Sequence, residues 1–112
     1  MNIKELQQIV LDFRNIRDWK QFHNPKDIAT AINIESWELQ EHFLWKSQDE
    51  SYELAKKQDV ADELADIFNY ILLFADSADI DLEKALLEKM TKNDKKYPVS
   101  KAKWKSDKYN QL

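Results

Sequence analysis

Two residue types are missing from this chain, and each absence excludes a class of site. The sequence has no cysteine, which excludes disulfide bonds, thiolate catalysis and zinc sites with sulfur ligands. It has no glycine, which excludes the P-loop and the dinucleotide-binding fingerprint, because both need glycine where the backbone approaches a phosphate. Glycine is also the preferred residue of tight hairpin turns. Since only two prolines interrupt the chain, the composition favours an all-α fold.

Long apolar segments and a strong basic charge are missing as well. No apolar run approaches the roughly 20 residues needed to span a bilayer, and the first residues, MNIKELQQIVLDF, lack the apolar core of a signal peptide. The net charge is −4, so the chain has no overall basic field for duplex nucleic acid. We therefore expect a cytoplasmic protein that binds neither a membrane nor nucleic acid.

Apolar residues recur at helical spacing in three long segments of the chain. This periodicity predicts helices from about Asn2 to Asp18, from Lys26 or Asp27 to Lys46, and from Gln58 to Asp79. A fourth helix is expected to begin at Asp79 or Asp81 and to end at Pro98. The polar segment SQDESYELAKKQ is expected to be a loop or a frayed helix start, and residues from about 97 to 112 an irregular basic tail.

The predicted fold is a small four-helix bundle formed by a single domain, residues 1–112. The apolar face of the fourth helix is thin, so a bundle made from one chain would bury little apolar surface. We therefore expect the core to be completed by oligomerisation.

An acidic residue, Glu35, lies where a helical wheel predicts a core residue. With Ile28 as the reference, Ile32, Glu35 and Leu39 all lie within about 40° of it, so Glu35 falls in the apolar stripe. Glu38 follows three residues later, so the two carboxylates share one helix face. The stripe therefore carries negative charge where an ordinary amphipathic helix would be apolar.

A second acidic pair, Glu63 and Asp66, repeats this spacing beside the apolar stripe of the next long helix, which includes Leu64. Two antiparallel helices could bring all four carboxylates together. Carboxylates at close range repel one another unless a cation compensates them, and all-oxygen ligation suits Mg²⁺ or Mn²⁺. The Glu-x-x-His pattern of di-iron bundles is absent, because Leu39 precedes His42 by three residues. Acidic pairs at this spacing are also common on solvated helix faces, which leaves a metal site and a plain surface as alternatives.

The acidic segments ESWELQEHFLW and DELADIFNYI resemble those of the all-α nucleoside triphosphate pyrophosphohydrolases of the MazG type. The family pattern is Glu-x-x-Glu, a spacer and Glu-x-x-Asp, which here falls on Glu35, Glu38, Glu63 and Asp66. The segments RDWKQFHNPKDIA, FLWKS and EKMTKNDKKYPV resemble the dCTP pyrophosphatase branch. The resemblance extends roughly over residues 13–99, which is most of the chain.

The resemblance implies Mg²⁺-dependent hydrolysis of a nucleoside triphosphate, dCTP or a modified pyrimidine deoxynucleotide, to the monophosphate and pyrophosphate. It also implies a homo-oligomer, a dimer or a tetramer built as a dimer of dimers. The hypothesis for the site is that the four carboxylates bind Mg²⁺, with Mn²⁺ as a substitute. One of them would act as base for a water that attacks the α-phosphorus.

Aromatic and polar side chains in the same segments are the candidates for substrate binding. A flat base needs an aromatic stacking partner, and the candidates for that role are Trp19, Phe22, His23 and Trp45. Tyr70, one turn beyond Asp66, could pack on the sugar, and by the resemblance Lys89 and Asn93 contact phosphate and sugar. Read without the resemblance, Tyr70 could equally be a core residue, Trp45 a core anchor, and Lys89 and Asn93 a solvated helix end.

Other interpretations remain open at this point. Val10 stands where the vertebrate dCTP enzymes have a histidine on the first helix, so dCTP, 5-modified dCTP and dUTP are alternative substrates. A different class of function is a non-catalytic helical interaction module with solvated acidic faces. The basic tail, with Trp104 and Tyr109, could contact single-stranded nucleic acid, but it is short and the body is acidic. His42 is interpreted as a helix-interface residue.

Overall fold

Helices make up all of the regular structure. The computed structural model describes all 112 residues, of which 75 % are helical, and it contains no strand. The α-helices, in chain order, are α1 Ile3–Ile16, α2 Pro25–Glu41, α3 Gln48–Leu54, α4 Gln58–Ser77, α5 Leu82–Lys96 and α6 Val99–Ala102. Short 3₁₀ helices lie at Trp19–Phe22 and Tyr109–Gln111. The predicted all-α class is therefore confirmed. None of these helices combines the length and the apolar character that a membrane crossing requires.

Six α-helices are present where the apolar periodicity predicted four. Helix α2 ends at Glu41 rather than at Lys46, and the polar segment after it contains the separate helix α3. A capping box begins α3: the Ser47 side chain accepts a hydrogen bond from the Glu50 backbone N–H, and the Glu50 carboxylate accepts one from the Ser47 N–H. These local hydrogen bonds form a helix although the segment has almost no apolar face.

Residues with left-handed backbone take positions that glycine commonly has at helix ends. Asp79 has φ 55° directly after α4. Its N–H donates to the Asp76 carbonyl at 3.3 Å, and the Ile80 N–H donates to the Ala75 carbonyl at 2.8 Å. This pair of bonds is a Schellman motif, which satisfies carbonyls that the helix leaves unpaired. Trp45, in the connection between α2 and α3, also has a positive φ of 62°.

The chain divides into two compact units, residues 1–80 and residues 81–112. In the first unit α4 packs against both α1 and α2, and its interface with α2 is the more extensive. The buried apolar residues of the chain all lie in this unit; they are Ile28, Val60, Leu72, Leu73 and Ala75. That residues 1–112 form one domain stays a prediction.

Near its end, helix α4 is covered by neighbouring parts of the chain on two adjacent faces. Leu72 and Leu73 are 2 % and 3 % exposed, and consecutive helical residues point about 100° apart, so neighbours must cover both directions. Leu64, which the sequence placed in the apolar stripe of this helix, is 58 % exposed. The prediction that this residue is covered was therefore wrong within the single chain, since no other helix of the chain buries it.

A partly buried ion pair joins α1 to α4. Arg14 is 5 % exposed, and its Nη1 donates to Asp76 Oδ2 at 2.9 Å. The Nε atom of the same guanidinium donates to Asn15 Oδ1 at 3.0 Å. Further along α1, the Gln7 amide donates to the Leu72 carbonyl at 3.0 Å. Polar groups therefore supply an important part of the contact between these helices.

In residues 81–112 the end of the chain folds back onto the end of α5. The ring of Tyr109 packs edge-on against Tyr97, with 6.0 Å between the centroids, and Lys96 Nζ lies 4.8 Å from the Tyr109 centroid. Such contacts between a cation and a ring are attractive. Together with α6 they give the tail some local structure, while residues 103–108 lie outside any helix, so the irregular tail stays a prediction. The basic composition that suggested irregularity is compatible with structure here, because the aromatic rings provide the contacts.

We expect Asp76→Ala to destabilise the protein more than Asp12→Ala, a control at an exposed position of α1. Removing one member of a buried ion pair costs about 3–5 kcal/mol, because the remaining charge is left without a partner. Since the Asp76 side chain is 33 % exposed, we expect the smaller loss of about 2–3 kcal/mol. Urea unfolding measures this difference, and equal midpoints for the two variants would show that the pair does not stabilise the fold.

Candidate metal centre

Four carboxylate side chains converge where α2 packs against α4. Single oxygens of Glu35, Glu63 and Asp66 lie within 4.8 Å of one another. Glu38 is within hydrogen-bonding reach of both Glu35 and Glu63. The structure therefore brings together the two acidic pairs that the sequence places on separate helices.

The antiparallel arrangement of α2 and α4 produces this convergence. At the end of α2, His42 Nε2 lies 3.8 Å from Glu63 Oε1. Two turns earlier on α2, Glu35 lies near Tyr70, whose pKa is raised by burial and then by the charge of Glu35. Residues earlier in α2 therefore face residues later in α4, which means that the two helices are antiparallel. The spacing of three residues then places both members of each acidic pair on the facing sides of the helices.

Two oxygens in the cluster are buried and have no hydrogen-bond partner, Glu35 Oε2 and Glu63 Oε2. Burial raises the pKa of Glu35 to about 7, and the hydrogen bond and charge of Glu38 contribute next. Burial also raises the pKa of Glu63, again followed by the effect of Glu38. Buried, unpaired carboxylate oxygens destabilise a folded protein. The cluster therefore holds negative charge that the rest of the protein does not compensate.

This set of donor atoms fits a hard divalent cation. The ligand atoms are carboxylate oxygens, and the two unpartnered oxygens are free to coordinate. Mg²⁺ is bound in proteins by a small number of carboxylates, and substrate phosphates and water complete its octahedral shell. The residues present therefore fit Mg²⁺, or Mn²⁺ in its place.

An open cleft of about 490 Å³ adjoins the cluster, and it is lined by Glu38, Glu41, His42 and Glu63. Three of these four side chains are carboxylates, so the cleft would repel a triphosphate in the absence of a cation. A bound cation reverses the sign of the local field and allows an anionic ligand to enter.

Trp19 begins the 3₁₀ helix that follows α1. Its ring packs edge-on against Phe13 with 5.9 Å between the centroids, and the Arg17 guanidinium lies 3.5 Å from the Phe13 centroid. Trp19 nevertheless remains 43 % exposed. It is therefore held in place by its neighbours while part of the indole stays accessible to a ligand.

Phe22 and His23 lie at the end of the same 3₁₀ helix. Phe22 is 64 % exposed. His23 Nδ1 is buried without a hydrogen-bond partner, and burial lowers the pKa of the imidazole, with the nearby charge of Arg14 adding to the effect. His23 is therefore neutral at pH 7 and can accept a hydrogen bond as well as donate one. The structure thus groups three of the four predicted base-binding residues in one connection.

Trp45 is the most exposed large apolar residue of the chain, at 98 %. Trp45 has a positive φ, which strains the backbone of a bulky residue. This strain and the exposure of the indole both destabilise the folded chain. The alternative interpretation, in which Trp45 anchors the core at a helix end, is therefore wrong for this chain.

The remaining predicted residues lie in different parts of the chain. Tyr70 is partly buried on α4, beside Glu35 and Asp66. Burial is the largest cause of its raised pKa, and the charges of these two carboxylates contribute next. Lys89 is exposed on α5. Asn93, also on α5, is partly buried and directs its amide towards Met90 Sδ at 3.9 Å. The last two residues belong to the unit formed by residues 81–112.

His42 was interpreted from the sequence only as a helix-interface residue. It does lie between α2 and α4, but its partner there is Glu63, a member of the carboxylate cluster. A signal for this was present in the spacing, because positions 35, 38 and 42 share one face of a helix. A Glu-x-x-His pattern does not describe this spacing, because Glu38 precedes His42 by four residues.

Comparison with known proteins identifies relatives over most of the chain. The model of the MazG-like family matches residues 30–112. The chain is 31 % identical to dCTP pyrophosphatase 1 of Rattus norvegicus and 32 % identical to that of Homo sapiens, over 98 % of this chain and 67 % of each relative. The crystal structure of a pyrophosphatase from Archaeoglobus fulgidus DSM 4304 has a TM-score of 0.80 and 40 % identity, over 86 % of this chain and 92 % of that one.

These matches agree with the resemblance inferred from the acidic segments. The residues matched by the family model include all four carboxylates of the cluster. The similarity to the crystal structure is high in both sequence and fold, so it extends beyond a shared helical topology. The chain belongs to the MazG-like family.

Proposed function

We propose that this protein hydrolyses a nucleoside triphosphate to the monophosphate and pyrophosphate in a Mg²⁺-dependent reaction. The observation that carries the proposal is the cluster of four carboxylates between α2 and α4, with two buried oxygens that have no partner. The cluster destabilises the protein when no cation is bound, and it suits a cation that also binds phosphate.

Three similar proteins support a pyrophosphatase reaction, and two of them also support the choice of substrate. The curated proteins similar over nearly the whole chain are named dCTP pyrophosphatase 1, and a solved structure of similar fold is called a pyrophosphatase. We infer that the substrate is dCTP or a modified pyrimidine deoxynucleoside triphosphate. Val10, where the vertebrate enzymes have a histidine, keeps 5-modified dCTP and dUTP among the candidates.

The four carboxylates act both as ligands and in proton transfer. Glu35, Glu38, Glu63 and Asp66 would hold Mg²⁺, which when bound neutralises charge on the phosphate oxygens. One of the same carboxylates accepts the proton of the water that attacks the α-phosphorus. A carboxylate held close to other carboxylates has a raised proton affinity, which favours this role near neutral pH.

Aromatic side chains are the proposed contacts of the base. Trp19, Phe22 and Trp45 each keep an accessible ring face, and stacking of a base on such a ring is worth about 1–3 kcal/mol. Neutral His23 can hydrogen bond to the polar edge of a base. For the rest of the nucleotide we propose that Tyr70 packs on the sugar and that Lys89 and Asn93 bind phosphate and sugar.

Apolar side chains on α2 and α4 support assembly into a homo-oligomer. Ile34 and Trp37 on α2 are each 50 % exposed, and Leu64 and Phe68 on α4 are 58 % and 39 % exposed. Exposed apolar residues grouped on helix faces are typical of protein interfaces. We propose a tetramer built as a dimer of dimers, and light scattering of the purified chain measures the number of copies.

The alternative function is a non-catalytic helical interaction module whose carboxylates are only a polar surface. The two buried, unpartnered oxygens argue against this alternative, because a solvated acidic face would leave them in water. A module of that kind would gain no melting temperature from Mg²⁺ together with a nucleotide, whereas a ligand that binds the folded state raises it.

We expect Glu38→Gln to reduce turnover by about 100-fold or more while the fold is retained, because the variant removes a charge that holds the reacting groups. Asp62→Asn is the matched control, since Asp62 precedes Glu63 on the same helix but is exposed outside the cluster. The measurement is product analysis after incubation with canonical and 5-modified nucleoside triphosphates, with Mg²⁺ and with EDTA.

Three outcomes of that assay carry different conclusions. Monophosphate and pyrophosphate, formed only with metal, would support the proposed reaction. Release of single phosphate would retain a metal site but refute a pyrophosphohydrolase. A Glu38→Gln variant as active as Asp62→Asn would refute the role of the cluster.

We expect Glu35→Gln to be more stable than the unmodified protein in EDTA at pH 8, and about as stable at pH 4.5. The pKa of Glu35 is raised from 4.5 to about 7, so the folded state binds this proton more tightly than the unfolded state does. Stability is therefore lost as pH rises between these two values, and glutamine, which stays neutral, avoids the loss. Melting temperatures across this pH range measure the difference.

The same experiment with Mg²⁺ reverses the order of stability. Metal binding adds stability to the unmodified protein at pH 8 and less to Glu35→Gln, which lacks one ligand. Parallel pH profiles for the two proteins in EDTA would contradict the raised pKa. Equal gains in melting temperature with Mg²⁺ would contradict Glu35 as a ligand.

A further inference from the structure

His42 and Glu63 form a contact that no part of the proposed reaction uses. His42 caps the end of α2, and its Nε2 lies 3.8 Å from Glu63 Oε1 on α4. The side chains are 27 % and 22 % exposed, so the contact is largely shielded from water. An interaction between partly buried groups is weakened less by solvent and salt than one on the open surface.

The two oxygens of Glu63 lie in different surroundings. Oε1 faces the His42 imidazole, whereas Oε2 is buried and has no hydrogen-bond partner. The last torsion of a glutamate side chain is broad, so a carboxylate without a second partner can rotate about that bond. At 3.8 Å the imidazole is beyond hydrogen-bonding distance of Oε1 but close enough to attract it, so it favours one direction for Oε2.

Nitrogen donors are scarce on this side of the cluster. Glu38, Glu41 and Glu63 line the cleft together with His42, which is the only side chain among them that can donate from nitrogen. The imidazole also stands on the same face of the chain as Glu35 and Glu38, at positions i+7 and i+4. The residue thus approaches Glu63 from the helix that carries the other acidic pair.

We propose that His42 is a positioning residue that holds Glu63 Oε1 and so directs the other oxygen of Glu63 towards a divalent cation. The inference rests on the proposed function, because it requires that the carboxylate cluster binds metal. Polar groups that contact metal ligands restrict their orientation, and loss of such a group weakens metal affinity about 10–100-fold. A histidine that only filled the interface between α2 and α4 would affect stability and leave metal affinity unchanged.

The test measures the affinity of the full chain for Mn²⁺ without nucleotide. Electron paramagnetic resonance of the free ion gives the fraction of Mn²⁺ that is not bound. His42→Leu keeps the apolar part of the contact but has no donor, and it should bind Mn²⁺ about 10–100-fold more weakly. His42→Gln retains an N–H donor and should recover most of the affinity. Gln40→Leu, at an exposed position of α2, is the control and should bind like the unmodified protein.

A second measurement applies if His42→Leu does not fold. The chain has two histidines, so the imidazole resonances of the unmodified protein are few. We expect Mg²⁺ alone to shift those of His42 more than those of His23, and His42→Gln identifies which signals belong to His42. Resonances of His42 that do not respond to Mg²⁺ would overturn the inference.

The outcomes separate this inference from the proposed function. If the unmodified protein binds Mn²⁺ and hydrolyses a nucleoside triphosphate but His42→Leu binds Mn²⁺ equally well, only the role of His42 is overturned. A lower melting temperature with unchanged Mn²⁺ affinity has the same meaning. If the unmodified protein neither binds Mn²⁺ nor hydrolyses any triphosphate, both the proposed function and this inference fail.

Discussion

Repulsion among four carboxylates at the interface of α2 and α4 is the constraint on which the rest of the structure depends. These helices make the most extensive contact of the first unit, so the same packing that forms the core also forces the like charges together. The remainder of the core must supply enough stability to tolerate them. The buried apolar residues and the Arg14–Asp76 pair lie on or around α4 and hold its position relative to α1 and α2. Such a cluster suits a cation, since a cluster already satisfied by protein donors would gain little from an ion.

Much of this site could be predicted from the sequence, because its information is local. Glu35 and Glu38 are one helical turn apart, as are Glu63 and Asp66, and a charge inside an apolar stripe marks which face turns inward. The all-α class followed in the same way from the absence of glycine and from the helical spacing of apolar residues. The spacing said nothing about the distance between the helices, which depends on packing over the whole unit.

Other features escaped prediction for identifiable reasons. Helix α3 depends on the reciprocal hydrogen bonds of Ser47 and Glu50, which leave no mark in apolar periodicity. The contact between His42 and Glu63 joins residues far apart in the chain, so no motif on a single helix contains it. Leu64 was expected inside and lies outside, because an apolar stripe does not reveal whether its cover comes from the same chain or from another.

The absence of glycine also changes the unfolded chain. Each glycine in a protein raises the backbone entropy that folding removes, by roughly 0.5–1 kcal/mol relative to alanine. This chain has no glycine and avoids that loss at every position. Four of its residues instead adopt left-handed backbone, which destabilises the fold by about 1–2 kcal/mol at each; they are Asp18, Trp45, Asp79 and Trp104. Its denatured ensemble is therefore stiffer than that of an ordinary domain. Part of the tolerance for the repulsive carboxylate cluster originates there, in an unfolded state that is unusually poor in conformations.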